Sequence, residues 1–133
     1  MLKTFTAKAG EGRYTVEALA TLTEEGLIVQ VLGGERPHVG AVALSLPRPS
    51  LSEPGKLRAS TTVVPLYGHR DDEIARPAAE RLAVALGQPV VVVAGVHVDA
   101  ATAKEVERLL DNSRQAVEEL LSAMAQCKVK NAN

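Results

Sequence analysis

Three histidines lie in similar settings, and imidazole is the side chain best suited to bind phosphate or metal, or to move protons, near neutral pH. They are His38, His69 and His97, each at the end of a predicted strand and within two residues of a glycine. Loops at such junctions often carry binding residues. A single histidine more often has a structural role at the surface or in the core than a functional one. Three histidines in the same kind of setting, however, favour a functional site shared by at least two of them.

His69 and His97 form the better pair, because each precedes a predicted helix. Two such junctions on neighbouring parallel strands open at the same edge of a sheet. Helix N-termini there offer amide donors to an anion, and imidazole could hold a phosphate or a divalent metal. The spacing of the histidines matches no zinc motif, so a metal site depends on the fold bringing them together.

Charged residues flank two of the histidines. Arg36 and Arg70 could make bidentate contacts to phosphate or carboxylate, although loop arginines are more often simply solvated. Asp71, Asp72 and Glu73 could bind metal or act as a general base. Acids at a helix start more often cap the helix and complement its dipole.

Hydrophobic periodicity predicts four strands, followed by a helix, a strand and a second helix. The strands are predicted over 14–22, 27–32, 39–46 and 57–67, the first helix over about 74–86, and the last strand over 90–93, buried on both faces. Gly87 is placed to end the first helix. A capping box from Thr102 to Glu105 starts the second helix, which reaches about Gln126.

This order predicts an α+β fold with a mostly antiparallel mixed sheet and helices packed against it. The last strand is expected to join in parallel through a right-handed crossover. We expect one domain over residues 1–133, with its core at about 12–126. The last helix would approach about 36 Å, longer than the sheet needs. Its far end is therefore expected to pack on another subunit of a homo-oligomer.

Composition excludes several classes of function. The chain has 15 basic and 16 acidic residues, a net charge of −1 and 2% aromatic residues, so it lacks both the basic stripe and the stacking platform of nucleic-acid-binding proteins. We see no signal peptide and no apolar run long enough to span a membrane. The single cysteine, Cys127, cannot form an internal disulfide. A cytoplasmic protein is expected.

The three histidine segments, residues 34–43, 68–73 and 94–102, resemble the signature segments of a known family. They are similar to those of the prenylated-flavin chaperones, or LpdD-like proteins, which are small companions of UbiD-type decarboxylases. The resemblance spans about residues 12–121. It implies that the chain binds reduced prenylated flavin mononucleotide and delivers or matures it for such a decarboxylase. A flavin prenyltransferase is a further candidate partner.

The resemblance also implies a set of site residues. The three histidines would line a cofactor or metal site, and Arg36 and Arg70 would contact the phosphate. No catalytic residue is assigned. The full cofactor-binding set is Arg36, His38, Gly40, Tyr67, Gly68, His69, Arg70, Gly95, His97 and Thr102. Several family segments have lysine after the second histidine, where this chain has Arg70. The positive charge is kept, but the compact ammonium group is replaced by a planar guanidinium group.

Two other functions stay open at the level of sequence. One is a metal-dependent hydrolase or lyase, in which the histidines hold a divalent ion and Asp71 or Glu73 activates water. The other is a structural subunit of a decarboxylase complex. The lack of a strong catalytic motif favours the chaperone over the enzyme. Since Tyr67 is the one aromatic residue near the site, the flavin ring would rest on a neighbouring subunit or on aliphatic residues: Val39, Val42, Val96 and Val98.

Overall fold

The computed structural model describes residues 2–66 and 70–132, with side chains as far as Cys127. This part of the chain forms six strands and two α-helices. The elements are β1 (Lys3–Ala9), β2 (Val16–Thr23), β3 (Gly26–Gly34), β4 (Ala41–Pro49), β5 (Leu57–Pro65), α1 (Asp72–Leu86), β6 (Val90–His97) and α2 (Ala103–Ala132). A single 3-10 turn, Gly12–Tyr14, joins β1 to β2.

The strands form one mixed sheet in the order β1-β2-β3-β6-β4-β5. The predicted α+β class is confirmed, and β6 pairs in parallel with β3 as expected. The description of the sheet as mostly antiparallel with one added strand is not exact. β6 inserts between β3 and β4 and pairs with both, in parallel with β3 and antiparallel with β4.

The predicted count of four strands before the first helix is wrong, because β1 precedes them. β1 pairs with β2 along its whole length, from Lys3 opposite Leu22 to Ala9 opposite Val16. Its inward side chains are Phe5, Ala7 and Ala9, of which two are alanines. Because this inward face is small, the hydrophobic pattern of residues 3–9 only weakly indicates a strand. The segment becomes a strand through its pairing with β2.

The hydrophobic core lies between one face of the sheet and both helices. Inward side chains of the central strands, such as Val29, Val92 and Ala43, are fully buried with Leu82 of α1 and Leu120 of α2. α1 packs on β4, β5 and β6, whereas α2 packs on β1 and β2. The helices therefore share one side of the sheet, as their apolar stripes require.

The prediction that the last strand is buried on both faces is wrong. Val90 and Val92 are buried under the helices, but Val91 and Val93 point to the other side and are only partly buried. A continuous apolar run is compatible with either arrangement, because the run does not show whether a second layer covers the sheet.

Helix boundaries follow the local signals. Gly87 adopts a left-handed conformation (φ 64°) and donates its amide to the carbonyl of Ala83, as predicted for the end of α1. α1 includes Pro77 in its interior and starts at Asp72, two residues before the predicted periodic stretch. α2 runs to Ala132, beyond the predicted end near Gln126. That its far end packs on another subunit stays a prediction.

The loop between β3 and β4 runs across the end of β6 at very short range. The amides of Glu35 and Arg36 donate to the carbonyl of His97, and the amide of Gly40 donates to Ala94. A Cβ atom at Gly95 would stand 1.5 Å from the carbonyl oxygen of His38. Glycine is therefore required here by space, since its neighbour is backbone rather than a flexible side chain.

Tyr14 ties the turn before β2 to the first turn of α2. Its hydroxyl donates to a carboxylate oxygen of Glu105 at 2.5 Å, and its carbonyl accepts from the side chain of Asn112 at 2.8 Å. The hydroxyl of Tyr14, helped by hydrogen bonds from Thr102, lowers the pKa of Glu105 to about 2. The same bond raises the pKa of Tyr14.

We expect Gly95→Ala to destabilise the fold by about 3 kcal/mol, because the new methyl group forces the β3–β4 loop away from β6. Gly55→Ala is the matched control. Nothing lies within 4 Å of a Cβ at Gly55, so only its positive φ of 82° is strained, at a cost of about 1 kcal/mol. Chemical denaturation measures both. If both variants lose the same free energy of unfolding, the β3–β4 loop moves away from β6 at no cost, which contradicts this prediction.

We expect Tyr14→Phe to raise the pKa of Glu105 from about 2 toward its ordinary value of 4.5. A lowered pKa in the folded state means that ionised Glu105 stabilises the fold fully above pH 4.5 and loses this effect as the pH falls toward 2. In the variant this loss is smaller, because the pKa values of Glu105 in the folded and unfolded states lie closer together. Carboxyl NMR titration measures the pKa, and Glu105→Gln, which cannot titrate, is the control for thermal unfolding against pH.

Candidate functional site

The sheet topology brings the histidine-bearing loops to one edge. β3 and β6 are parallel, and β4 is antiparallel to both β5 and β6, so β3, β5 and β6 all end where β4 begins. We call this the histidine edge. The expectation that the strands before the two helices are neighbours is wrong, because β4 lies between β5 and β6. They still run in the same direction and open at the same edge.

His38 is held at this edge by hydrogen bonds at both ring nitrogens. Nδ1 lies 2.8 Å from the carbonyl oxygen of Arg36, and Nε2 lies 2.9 Å from Oδ2 of Asp71. Because a carbonyl oxygen only accepts, Nδ1 carries a proton. The ring is therefore fixed in orientation by a contact at each nitrogen.

Asp71 connects three elements through one buried carboxylate. Oδ2 contacts His38 of the β3–β4 loop, and Oδ1 accepts the backbone amide of Val96 in β6 at 2.9 Å. Its backbone carbonyl accepts the amides of Ile74 and Ala75 and so begins α1. The expectation that Asp71 caps this helix with its side chain is wrong, because the carboxylate turns away toward His38 and makes no cap hydrogen bond.

His97 is the more accessible histidine. Its side chain is 46% exposed, and Nε2 lies 3.1 Å from a carboxylate oxygen of Asp99. The ring centroids of His38 and His97 are 6.3 Å apart, with an interplanar angle of 81°. Two of the predicted histidines are thus brought together, one anchored in the protein and one facing solvent.

Tyr67, Gly68 and His69 lie outside the described residues, so the roles expected for them stay predictions. Among residues 2–66 and 70–132, no three histidine, cysteine or acidic side chains are placed to hold a metal ion together. The predicted metal site is therefore not supported by the described part of the chain.

Both predicted arginines are exposed at this edge and engaged in ion pairs. Arg36 lies 3.4 Å from Asp99, and Arg70 lies 2.9 Å from Glu73, whose hydrogen bond raises the pKa of Arg70. Exposed pairs of this kind contribute little to stability, so an incoming anion can displace the carboxylate at low cost. Arg70 lines the cavity described below, whereas Arg36 stands outside it.

The two predicted site glycines have a packing role. Both are buried, and a Cβ at Gly40 would stand 1.9 Å from Oδ2 of Asp71, as one at Gly95 would strike the carbonyl of His38. Neither residue lines the cavity. Glycine at these positions allows the loop and β6 to approach closely enough for His38 and Asp71 to meet.

The amide and the hydroxyl of Thr102 both form hydrogen bonds that begin α2. Its amide donates to Glu105 Oε1 at 3.0 Å, and its hydroxyl accepts the Glu105 amide at 3.2 Å, which confirms the predicted capping box. The preceding Ala100 has a φ of 52°, which is strained for alanine. This turn forms one wall of the cavity through Ala100 and Ala101.

A cavity of about 320 Å³ opens at the histidine edge between the starts of α1 and α2. Its polar part consists of five residues: His38, Arg70, Asp71, Glu73 and His97. Its apolar wall consists of Ile74, Val96, Val98, Val106, Leu109 and Leu110. Val96 and Val98 thus lie where expected, whereas Val39 and Val42 do not line the cavity. An apolar wall with a few convergent polar groups is typical of small-molecule sites.

A second cavity, of about 260 Å³, adjoins the first between α1 and α2. The two share Glu73, Ile74 and Leu110 as lining residues. On its rim Arg81 of α1 makes a bidentate ion pair with Glu118 of α2, with nitrogen–oxygen distances of 2.8 and 3.0 Å. The apolar surface available to a ligand therefore extends from the histidine edge along both helices.

Comparison with known proteins identifies the family. A family model described as the prenylated flavin chaperone LpdD-like domain matches residues 10–125. The chain belongs to this family. A chain from the crystal structure of a chaperone complex for yeast 20S proteasome assembly has a similar fold, with a TM-score of 0.59 and 16% identity over 94% of this chain and 96% of that one. At this identity only the fold is shared. No curated protein matches.

Neither helix of the described chain has the length and apolar content that a membrane crossing requires.

Sequence reasoning missed how Asp71 acts in the site. It also missed the network beside His97, in which Arg13 bridges Glu35 and Glu105, and Glu35 accepts the amide of Asp99. These contacts join residues that are far apart in sequence. No local pattern indicates them, although the charged residues next to His38 and His97 are a weak signal.

We expect Asp71→Ala to destabilise the protein by about 1–3 kcal/mol, because it leaves the buried amide of Val96 and the ring of His38 without their carboxylate. Asp72→Ala is the matched control. Asp72 stands in the first turn of α1, where its loss costs about 0.3–1 kcal/mol of dipole stabilisation. Thermal and chemical unfolding measure both, and equal effects would contradict a special role for Asp71.

Proposed function

We propose that this chain binds reduced prenylated flavin mononucleotide at the histidine edge and delivers or matures it for a UbiD-type decarboxylase. Membership of the prenylated flavin chaperone LpdD-like family supports the ligand class. The cavity of about 320 Å³ at that edge is the observation that carries the location. Its volume lies at the lower end of the range for small-molecule sites.

The described residues fit such a ligand in two respects. The apolar wall of the cavity offers aliphatic surface for a flavin ring, which takes the place of the aromatic platform that the sequence lacks. Arg70 and His97 supply positive or hydrogen-bonding groups at the rim for the phosphate. The amides of Thr102 and Glu105 are already bonded in the capping box, so in this proposal the side chains of Arg70 and His97 make the phosphate contacts.

His38 and His97 have different tasks in this proposal. His38 is fixed by Arg36 and Asp71 and holds the cavity wall in shape. His97 is exposed, held by a single exposed aspartate, and free to turn toward a ligand. Prenylated flavin, once delivered, would supply the partner enzyme with the reactive group for decarboxylation. The chain contributes binding, orientation and partial exclusion of water.

The test is anaerobic native mass spectrometry of the full chain with reduced prenylated flavin mononucleotide. We expect one cofactor per chain, and weaker binding of plain flavin mononucleotide at equal concentration. No flavin but a stoichiometric metal would instead indicate the metal-dependent hydrolase or lyase. Neither ligand would indicate a structural subunit of a decarboxylase complex.

Among site variants, we expect His97→Ala and Arg70→Ala each to weaken cofactor binding by about tenfold or more, because each removes a contact to a charged ligand. Their melting temperatures should stay close to that of the wild type, since both side chains are exposed. Arg76→Ala is the matched control, because Arg76 is an exposed arginine of α1 that pairs with Glu80 outside the cavity. Unchanged affinity in both site variants would contradict the proposed location.

A further inference from the structure

The face of the sheet that points away from α1 and α2 is apolar, and none of the described residues covers it. We call it the open face. On β3, β4 and β5 it presents Ile28, Leu44 and Val64, whose exposures are 51%, 44% and 57%. Val91 and Val93 of β6 lie between them and are partly buried only by their neighbours in the sheet.

Strand register makes these side chains one continuous patch. Val91 stands beside Ile28 of β3 on one side and Leu44 of β4 on the other. One row along, Val42 stands beside Val93 of β6 and Val64 of β5. Adjacent strands lie about 4.8 Å apart, so side chains within each row are in contact. Soluble monomers rarely expose contiguous apolar patches larger than a few hundred Å².

The centre of the open face carries no charge. Across all six strands, the polar side chains of its two rows are neutral: Thr4, Thr6, Thr21, Gln30 and Thr62. Charges appear at the flank, where Lys8 of β1 stands opposite Glu17 of β2. A two-fold axis places only the residues beside it near copies of themselves. An uncharged centre therefore suits a second copy, because no like charges meet at the axis.

The area is also sufficient. Six strands about 4.8 Å apart and about 23 Å long present a projected area of about 650 Å². Side chains stand up from the sheet, so the accessible area is larger than this projection. A stable interface buries about 800 Å² on each partner. Stacking of the whole open face thus reaches the size that a specific dimer needs, without a contribution from the helices.

We propose that two copies of the chain associate through their open faces, sheet against sheet, with Ile28, Leu44, Val91 and Val93 at the centre. The dimer has four layers, with helices outside and the two sheets about 10 Å apart inside. The histidine edge lies at the strand ends and stays outside this interface. Dimer formation and cofactor binding are therefore separate properties.

Sedimentation velocity of the full chain across the micromolar range tests the proposal. We expect a dimer for the wild type, and a dissociation constant raised by about a hundredfold or more in Leu44→Lys and Ile28→Lys, because each substitution buries a charge twice in the interface. Leu51→Lys is the matched control. Leu51 is a leucine with 94% exposure in the loop before β5, and its variant should dimerise like the wild type.

Circular dichroism and melting temperature show whether each variant folds. If Leu44→Lys fails to fold, Ile28→Lys and Val64→Lys provide the same test from neighbouring strands. A wild-type chain that stays monomeric throughout the concentration range overturns the proposal and leaves the open face to a different protein. A dimer with the same dissociation constant in the lysine variants also overturns it, since association then uses another surface.

Discussion

The site depends on the buried carboxylate of Asp71. A carboxylate removed from water is costly unless hydrogen-bond donors surround it. Its partners here come from separate elements, the amide of Val96 in β6 and the ring of His38 in the β3–β4 loop, while the backbone carbonyl of Asp71 begins α1. All three elements must therefore be in place at once. His38 stands in the cavity wall because it is one of the partners that the buried side chain of Asp71 requires.

Local signals in the sequence predicted those parts of the fold that local interactions determine. Gly87 and the Thr102 capping box marked helix boundaries correctly, since each acts within one turn. β1 was missed because its inward face is mainly alanine, and its stability comes from pairing with β2. The insertion of β6 between β3 and β4 was also missed. Strand order depends on contacts between distant segments, which hydrophobic periodicity does not encode.

The same distinction applies to the candidate site. That at least two of the three histidines meet could be predicted from their places at strand ends, although His69 and His97 were expected to be the better pair and the structure brings His38 and His97 together. The roles of single residues could not. Residue type does not show that Gly40 makes room for a carboxylate, and Asp71, which was expected to cap a helix, instead contacts His38 of the β3–β4 loop. These roles follow from close approaches between segments, and residue type alone is compatible with either one.

The central place of β6 has a consequence for how the chain folds during synthesis. β1 to β3 can pair among themselves, as can β4 and β5, but these two groups share no strand pairing until residues 90–97 are available. Until then β3 and β4 each expose an unpaired backbone edge, the feature through which nascent chains associate wrongly. Joining the halves requires contacts of long sequence separation, which slow folding. The strand that completes the sheet therefore also ends the interval in which the chain is most prone to aggregate.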